Sequence, residues 1–297
     1  MSNADKAAIV TALKSKYSIT GLCKCLGLAR TLYYYEAHPR KPDTEAENEV
    51  IAIFHASRKN YGQVKIQQKM RRKGYVISRH RIGCIMTKYG LVSSYCLRRH
   101  KQKSAPVNND CTGNKLERNF KDKQPLEVVV SDLTYVDVNK KWHYICLLVE
   151  LSHREIIGHA AGAYKDAELV RQAFYSVKED LRNIGLFHTD RGSEFKNEII
   201  EAILKTFGIE RSLSRKGTPI DNAVVESMYD IVKTEFVYGE TFESLQDLQQ
   251  KLDEWVWWYN NERIHGSLNF MTPKESRQKQ KIGVKSEVCL TVITDAE

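Results

Sequence analysis

No stretch of this chain approaches the roughly 18 consecutive apolar residues that a membrane-spanning helix requires. Its opening, MSNADKAAIVTALK, lacks the apolar core of a signal peptide, so a cytoplasmic protein is the expectation. The seven cysteines are odd in number and include no Cys-x-x-Cys pair, which argues against both a disulfide framework and a zinc ribbon. Cys84, Cys96 and Cys146 sit in apolar sequence and are expected to be core thiols. Internal repeats and low-complexity tracts are absent. Acidic residues are scarce at the front: residues 1–120 carry 23 Lys and Arg against 8 Asp and Glu, whereas residues 121–297 carry 23 against 29.

That imbalance suggests a basic arm that grips a polyanion and a body that does something else. Basic surfaces attract nucleic acid by neutralising phosphate and releasing counterions. The 297 residues allow two or three domains, and 42% hydrophobic with 28% charged residues is ordinary for a globular protein.

The front half reads as helices. SITGLCKCLGLARTLYYYEAH has the pattern of two helices hinged at Gly27, with Thr20 as a cap for the first and the second starting near Ala29. In a helix-turn-helix of this kind Arg30 and Thr31 lead the second helix toward DNA. HPRKPDTEAE is a linker. EAENEVIAIFHAS is amphipathic, and YGQVKIQQKMRRKGYVISRHRIGCIMTKYGL gives helix, a turn at Gly74, a Ser78 cap and another helix. Arg79 and Arg81 occupy the first turn of that last helix, where a recognition helix reaches bases or phosphates. Arg71, Arg72 and Lys73 precede the turn and are expected on phosphate. Residues 98–124 read as a basic linker.

From Pro125 the pattern changes. EVVVSDLTYVDV, KWHYICLLVELS and REIIGHAAGAY read as three successive strands. A helix opened by Asp166, a short strand LFHTD, a helix closed at Gly208 and a strand ERSLS follow. Asp221 or Asn222 can cap the next helix. The expected class is α/β: a mixed five-stranded sheet with flanking helices, preceded by all-α helix-turn-helix segments. The expected division is 1–40 and 44–97 as two helix-turn-helix modules, 98–124 as linker, 125–240 as core, 241–280 as a helical extension and 281–297 as a tail. In the extension Trp255, Trp257, Trp258 and Tyr259 could stack on bases, but a core or subunit contact is the expected role.

Asp132 lies mid-strand, Asp190 ends a strand and Glu226 lies in the first turns of a helix. Oxygen ligands arriving from separate elements can hold a pair of hard cations, which clamp the attacking and leaving oxygens of a phosphodiester. Asp132, Asp190 and Glu226 are therefore candidate ligands for Mg²⁺ or Mn²⁺, two per site. Lys233 follows Glu226 by two turns on the same helix face, toward backbone phosphate. Arg191, Arg215 and Lys216 are candidate DNA contacts, and His188 is expected to pack.

VVVSDLTYV, FHTDRGSEF, SLSRKGTPIDNAVVESMYDIVKTE and WYNNERIHGSLNFMTPKE resemble the integrase-core transposases of bacterial insertion sequences, and most closely the second reading-frame product of the IS-three family. The two front helical segments resemble that family's DNA-binding segments. The resemblance implies an RNase H-like fold and a Mg²⁺-dependent catalytic site of Asp132, Asp190 and Glu226 with Lys233 as the matching basic residue. It also implies cleavage and strand transfer at terminal inverted repeats of double-stranded DNA. It further implies a homo-oligomer on paired ends, a nucleoid-associated location, and an upstream helix-turn-helix and leucine-zipper protein as partner or frameshift fusion. This chain has no zipper of its own. Ser131 before the first Asp and Glu194 in place of the commoner glutamine depart from the family pattern. The zinc-binding His-His-Cys-Cys segment of retroviral integrases is absent. Two rival readings are a non-catalytic regulator that occupies transposon ends and a nuclease acting on RNA–DNA hybrids.

Overall fold

A computed structural model describes residues 1–35, 44–97, 124–190, 192–214 and 223–280, with side chains from 226 onward in the last stretch. Arg191, Arg215, Lys216, the expected cap at Asp221 or Asn222, the tail, and all of the basic linker but residue 124 lie outside the described residues. Met1–Glu45 and Ala46–Glu297 are two compact units.

The first unit contains α1 (Asn3–Leu13), α2 (Ile19–Leu26) and the short α3 (Arg30–Tyr33). Ser18, not Thr20, caps α2, because its hydroxyl accepts from Gly21 N at 3.2 Å. Gly27 ends α2 at φ 59°, a left-handed turn that lets the chain double back so that Val10, Cys23 and Leu28 form a small core. Arg30 and Thr31 are exposed at the start of α3.

The second unit opens with α4 (Thr44–Ala56), α5 (Gln63–Arg72) and α6 (Arg79–Lys88). Ser78 caps α6 as the sequence indicates. Val50, Phe54, Ile66, Met70, Ile82 and Ile85 build the core of this module, and Ile264 from the far end of the chain completes it. The module and the sheet region therefore share apolar burial.

Five strands form one sheet in the order β3-β2-β1-β4-β5, over Val128–Val138, Lys141–Glu150, Ile156–Gly162, Leu186–Thr189 and Glu210–Leu213 for β1 to β5. β1, β2 and β3 are antiparallel neighbours, while β4 and β5 run parallel to β1. On one face pack α7 (Ala167–Tyr175) and α8 (Glu198–Phe207), burying Val129, Leu148, Phe174, Phe187 and Leu204. Asp166 caps α7, and Gly208 at φ 69° closes α8. On the other face pack α9 (Ala223–Glu235) and α10 (Leu245–Asn261), burying Val130, Leu147, Val232, Phe236 and Trp255. A last helix spans 273–280. This is the mixed sheet with helices on both faces that the sequence pattern indicates, the RNase H-like architecture. Trp255, Trp258 and Tyr259 are core residues, whereas Trp257 is exposed.

Two further expectations are corrected. Cys84 and Cys96 are exposed rather than core thiols; only Cys146 of the three is buried. On α6 the inward stripe is Ile82, Ile85 and Met86, and the helical period turns Cys84 away from it. Cys96 lies on a surface 3₁₀ turn.

Candidate active site

β1 changes character at one point. Val128 to Ser131 are all buried, as in a strand covered on both faces, whereas from Thr134 to Val138 burial alternates. Asp132 stands at that change. β4 pairs with β1 only as far as Val130 opposite His188. Two residues on, Asp132 and Asp190 continue the same register on the same side of their strands, Asp190 being the first residue past β4. The apolar run thus delivers one acid to the place where its neighbour strand ends, and that neighbour delivers the second.

Burial raises the Asp132 carboxyl from 3.8 to about 6; the backbone N–H of Leu133, donating at 2.7 Å, opposes the rise, and the charges of Asp190 and Glu194 add to it. Lys165 tempers the cluster. Its Nζ lies 2.8 Å from the buried carboxylate of Glu194, and its own pKa is raised first by that contact and then by Asp190 and Asp132. Gly192 N donates to Asp190 Oδ1 at 2.9 Å, and a Cβ on Gly192 would make the Glu194 carboxylate shift.

Helix α9 is pinned above Asp132. The Tyr229 hydroxyl donates to the Asp132 carbonyl oxygen and accepts from Leu147 N at 3.1 Å. Glu226, one turn earlier on the same face, is exposed in the first turn of the helix. Lys233, one turn after Tyr229, lies with Nζ 5.4 Å from the centroid of the Tyr135 ring. The structure thus brings Asp132 and Asp190 together beneath the helix that carries Glu226 and Lys233. Among the described residues no three Asp, Glu, His or Cys side chains are set close enough to hold a metal ion as they stand. The chemistry of the donor set nevertheless fits one: the Asp132 carboxyl, raised by burial and by the charge of neighbouring Asp190, is what a hard divalent cation relieves.

Of the candidate DNA contacts, Arg71 lies in the last turn of α5 and Arg79 and Arg81 in the first turn of α6, Arg71 and Arg79 being exposed. Arg72 is held by Glu275 at 2.9 Å and by the Phe270 carbonyl at 2.7 Å, and Lys73 by Glu49 at 2.5 Å. His188 packs as expected, with Nδ1 2.9 Å from Ser212 Oγ.

A second buried polar cluster lies where α9 and α10 end. Both Glu235 oxygens accept from Arg263, each at 2.7 Å, and Tyr95 also donates to Glu235 at 2.5 Å. Burial opposes the Arg263 charge, but Glu235 outweighs it and raises the pKa of the guanidinium. Arg263 also donates to the imidazole of His265 at 3.0 Å; burial and the adjacent guanidinium push that imidazole down to about 2, so it stays neutral. Tyr61 accepts from Ile264 N at 2.8 Å, and Asn260 clamps both backbone groups of Ile156 at 3.0 and 2.8 Å. These contacts lock the α4–α6 module and the sheet to the end of the helix that carries Glu226.

Lys165 was not legible as a site residue, since nothing in its spacing links it to residues 25 and more positions away. Arg263 and His265 stood in a conspicuous motif, but only the structure reveals Glu235 and Tyr95 as their partners.

Residues 122–219 and 207–273 match models of the integrase core domain, and residues 41–101 match a model of an HTH-like domain. The transposase for insertion sequence element IS904 of Lactococcus lactis subsp. lactis (strain IL1403) is 28% identical over 249 residues, covering 80% of this chain and 97% of that protein. The putative transposase InsK for insertion sequence element IS150 of Escherichia coli (strain K12) is 27% identical over 278 residues, covering 91% and 97%. Among solved structures, the magnesium-bound HTLV-2 integrase catalytic core in its trimeric form aligns with a TM-score of 0.42 at 14% identity, over 51% of this chain and 95% of that one. The BIV integrase catalytic core aligns at 0.41 and 20% identity, over 54% and 98%. No helix among the described residues is long and apolar enough to cross a membrane.

Proposed function

We propose that this chain, which matches integrase core domain models and is similar to insertion-sequence transposases, binds the terminal inverted repeats of such an element and there cuts DNA and transfers the strand. The observation that carries this reading is the register that sets Asp132, mid-β1, beside Asp190, just past the end of β4, beneath the helix bearing Glu226. In this reading residues 1–40 and 44–97 are DNA-binding modules, 98–124 a basic linker, 125–240 the catalytic core, 241–280 its helical extension and 281–297 a tail.

Asp132, Asp190 and Glu226 would hold two Mg²⁺ or Mn²⁺ ions. When bound, such a pair activates a water or a DNA 3′-hydroxyl and stabilises the departing 3′-oxygen. The remaining work belongs to the chain. Burial of Asp132 beside Asp190 and Glu194 concentrates negative potential at one point, and Lys165 holds Glu194 in place. Tyr229 fixes α9 over the Asp132 backbone, which sets how Glu226 approaches. Lys233, with Arg191, Arg215 and Lys216, neutralises the phosphates that flank the reacting bond. Arg30, Thr31, Arg71, Arg79 and Arg81 engage the duplex outside the site, with Arg72 and Lys73 joining them when their present carboxylate partners give way to phosphate. The protein works in the cytoplasm at the nucleoid, as a homo-oligomer on paired ends, with an upstream-frame protein as partner or frameshift fusion.

The test is nicking and 3′-end joining on a terminal-repeat duplex with Mg²⁺ or Mn²⁺ and the upstream partner supplied. Joining that disappears in Asp132→Ala, Asp190→Ala and Glu226→Ala, with duplex binding kept, supports the reading. A chain that shifts terminal DNA without ever cutting it is instead a regulator.

A further inference from the structure

Beyond Leu133 and Tyr144 the sheet loses its cover of α7 and α8, whose apolar contacts end with those two residues. The β1–β2 hairpin continues past that point, and its uncovered face carries two large aromatics. Tyr135 is 49% exposed and Trp142 61% exposed, with ring centroids 5.2 Å apart at 88°. They are diagonal neighbours, Tyr135 pairing with Tyr144 and Trp142 with Asp137, so both rings stand on one side of the ribbon.

On the other face of the same ribbon Val136 and Val138 pack into the core with Phe242 and Phe236, and only the polar Lys141 is exposed there. The aromatic exposure is therefore one-sided, and an uncovered aromatic pair marks a contact surface. Three lysines and one acid surround it, the acid being Asp137, exposed on the aromatics' own side and directly opposite Trp142. Lys140 and Lys141 are exposed at the hairpin turn, and Lys233 reaches Tyr135 from α9. Lys233 can do so because β1 has no β4 partner beyond Val130, which leaves that edge open. It bridges the side of the strand that bears Asp132 and the side that bears the aromatics. Asp132 is three residues from Tyr135 along one strand, about 10 Å.

Cationic groups around flat, exposed rings suit a polyanion with planar groups. A paired base within a duplex has both faces covered by its neighbours, so an unpaired base is the form that can lie on an aromatic ring. We propose that Tyr135 and Trp142 form a stacking platform for an unpaired DNA base beside the phosphodiester held at Asp132, with Lys233 on the phosphate between them. The inference rests on the transposase reading and adds to it a preference for opened DNA ends.

The full chain is titrated with two versions of the terminal-repeat duplex, one blunt and one with three unpaired positions at the reacting end. The unmodified chain binds the opened end about tenfold more tightly, in line with the stacking of one base on an aromatic side chain. Trp142→Ala and Tyr135→Ala lose that preference while blunt-end affinity and melting temperature hold, and Trp142→Phe keeps most of it. Equal affinity of the unmodified chain for both ends, or a preference that survives both alanine substitutions, overturns the platform. So does a change in self-association by sedimentation with the end preference intact, which would make this face a contact between copies. If blunt binding and joining persist without end preference, only the platform fails; if neither duplex binds, the transposase reading fails with it.

Discussion

Two buried polar clusters in this protein are built from segments far apart in sequence, and they are resolved in opposite ways. At the end of α9, Glu235 and Arg263 satisfy each other through two parallel hydrogen bonds, with Tyr95 and His265 completing the set. Beneath the first turns of the same helix, Asp132 is half-buried beside two other acids and held up at about 6, with Lys165 paired to Glu194. A balanced cluster of buried charge fixes the relation between elements. An unbalanced one stores unfavourable energy that a ligand of opposite charge can release, which is the mark of a site. One helix carries both, so the lock at its C-terminal end sets the geometry of the acids at its N-terminal end.

The largest effect separating the two clusters is on chemistry. Asp132→Ala, Asp190→Ala or Glu226→Ala is expected to lower strand transfer more than about 1,000-fold, because the three act as a unit. Single-turnover joining of labelled terminal DNA measures it. Substitutions at the lock act instead through folding. Arg263→Ala leaves Glu235 buried without its countercharge and is expected to cost about 3–5 kcal/mol in denaturant unfolding. A loss under 1 kcal/mol would show that the lock carries little.

The strand placement of Asp132 and Asp190 was readable because the apolar runs VVVSDLTYV and GLFHTD mark two strands, one with an acid inside it and one with an acid at its end. Register arguments then follow from the period of two. The lock was not readable in the same way: Arg263 and Glu235 are joined by packing of α9 against α10, which no local pattern encodes. Cys84 shows the converse error. Its sequence neighbours are apolar, but α6 buries Ile82, Ile85 and Met86 and leaves Cys84 outside. Glu194 was visible as a departure from the family pattern, yet its partner Lys165 comes from the turn ahead of α7, beyond any spacing rule.

The next expected effect reverses the usual sign for a functional residue. A carboxyl whose pKa rises on folding, here from 3.8 to about 6, favours the folded state below the lower value and loses that contribution as pH rises through the higher one. In chelator, Asp132→Asn is therefore expected to stabilise the protein by about 2–3 kcal/mol at pH 8 and by nothing at pH 3.5. Equal stability of the two chains at pH 8 would mean that the acids are not in conflict. The smallest effect is at the rim of the lock: Tyr95→Phe removes one hydrogen bond to a buried carboxylate and should cost about 1–2 kcal/mol. Its effect on joining should exceed its effect on duplex affinity, because the α4–α6 module stays intact while α9 loosens.

Cation binding tests the contrast most directly. Mn²⁺ is titrated into the full chain with a terminal-repeat duplex bound, and the ions held per chain are counted by electron paramagnetic resonance. Two bound ions are expected, lost in Asp132→Asn and kept in Tyr95→Phe. Ions that bind Asp132→Asn as tightly as the unmodified chain would contradict the assignment of the unbalanced acids as the catalytic site.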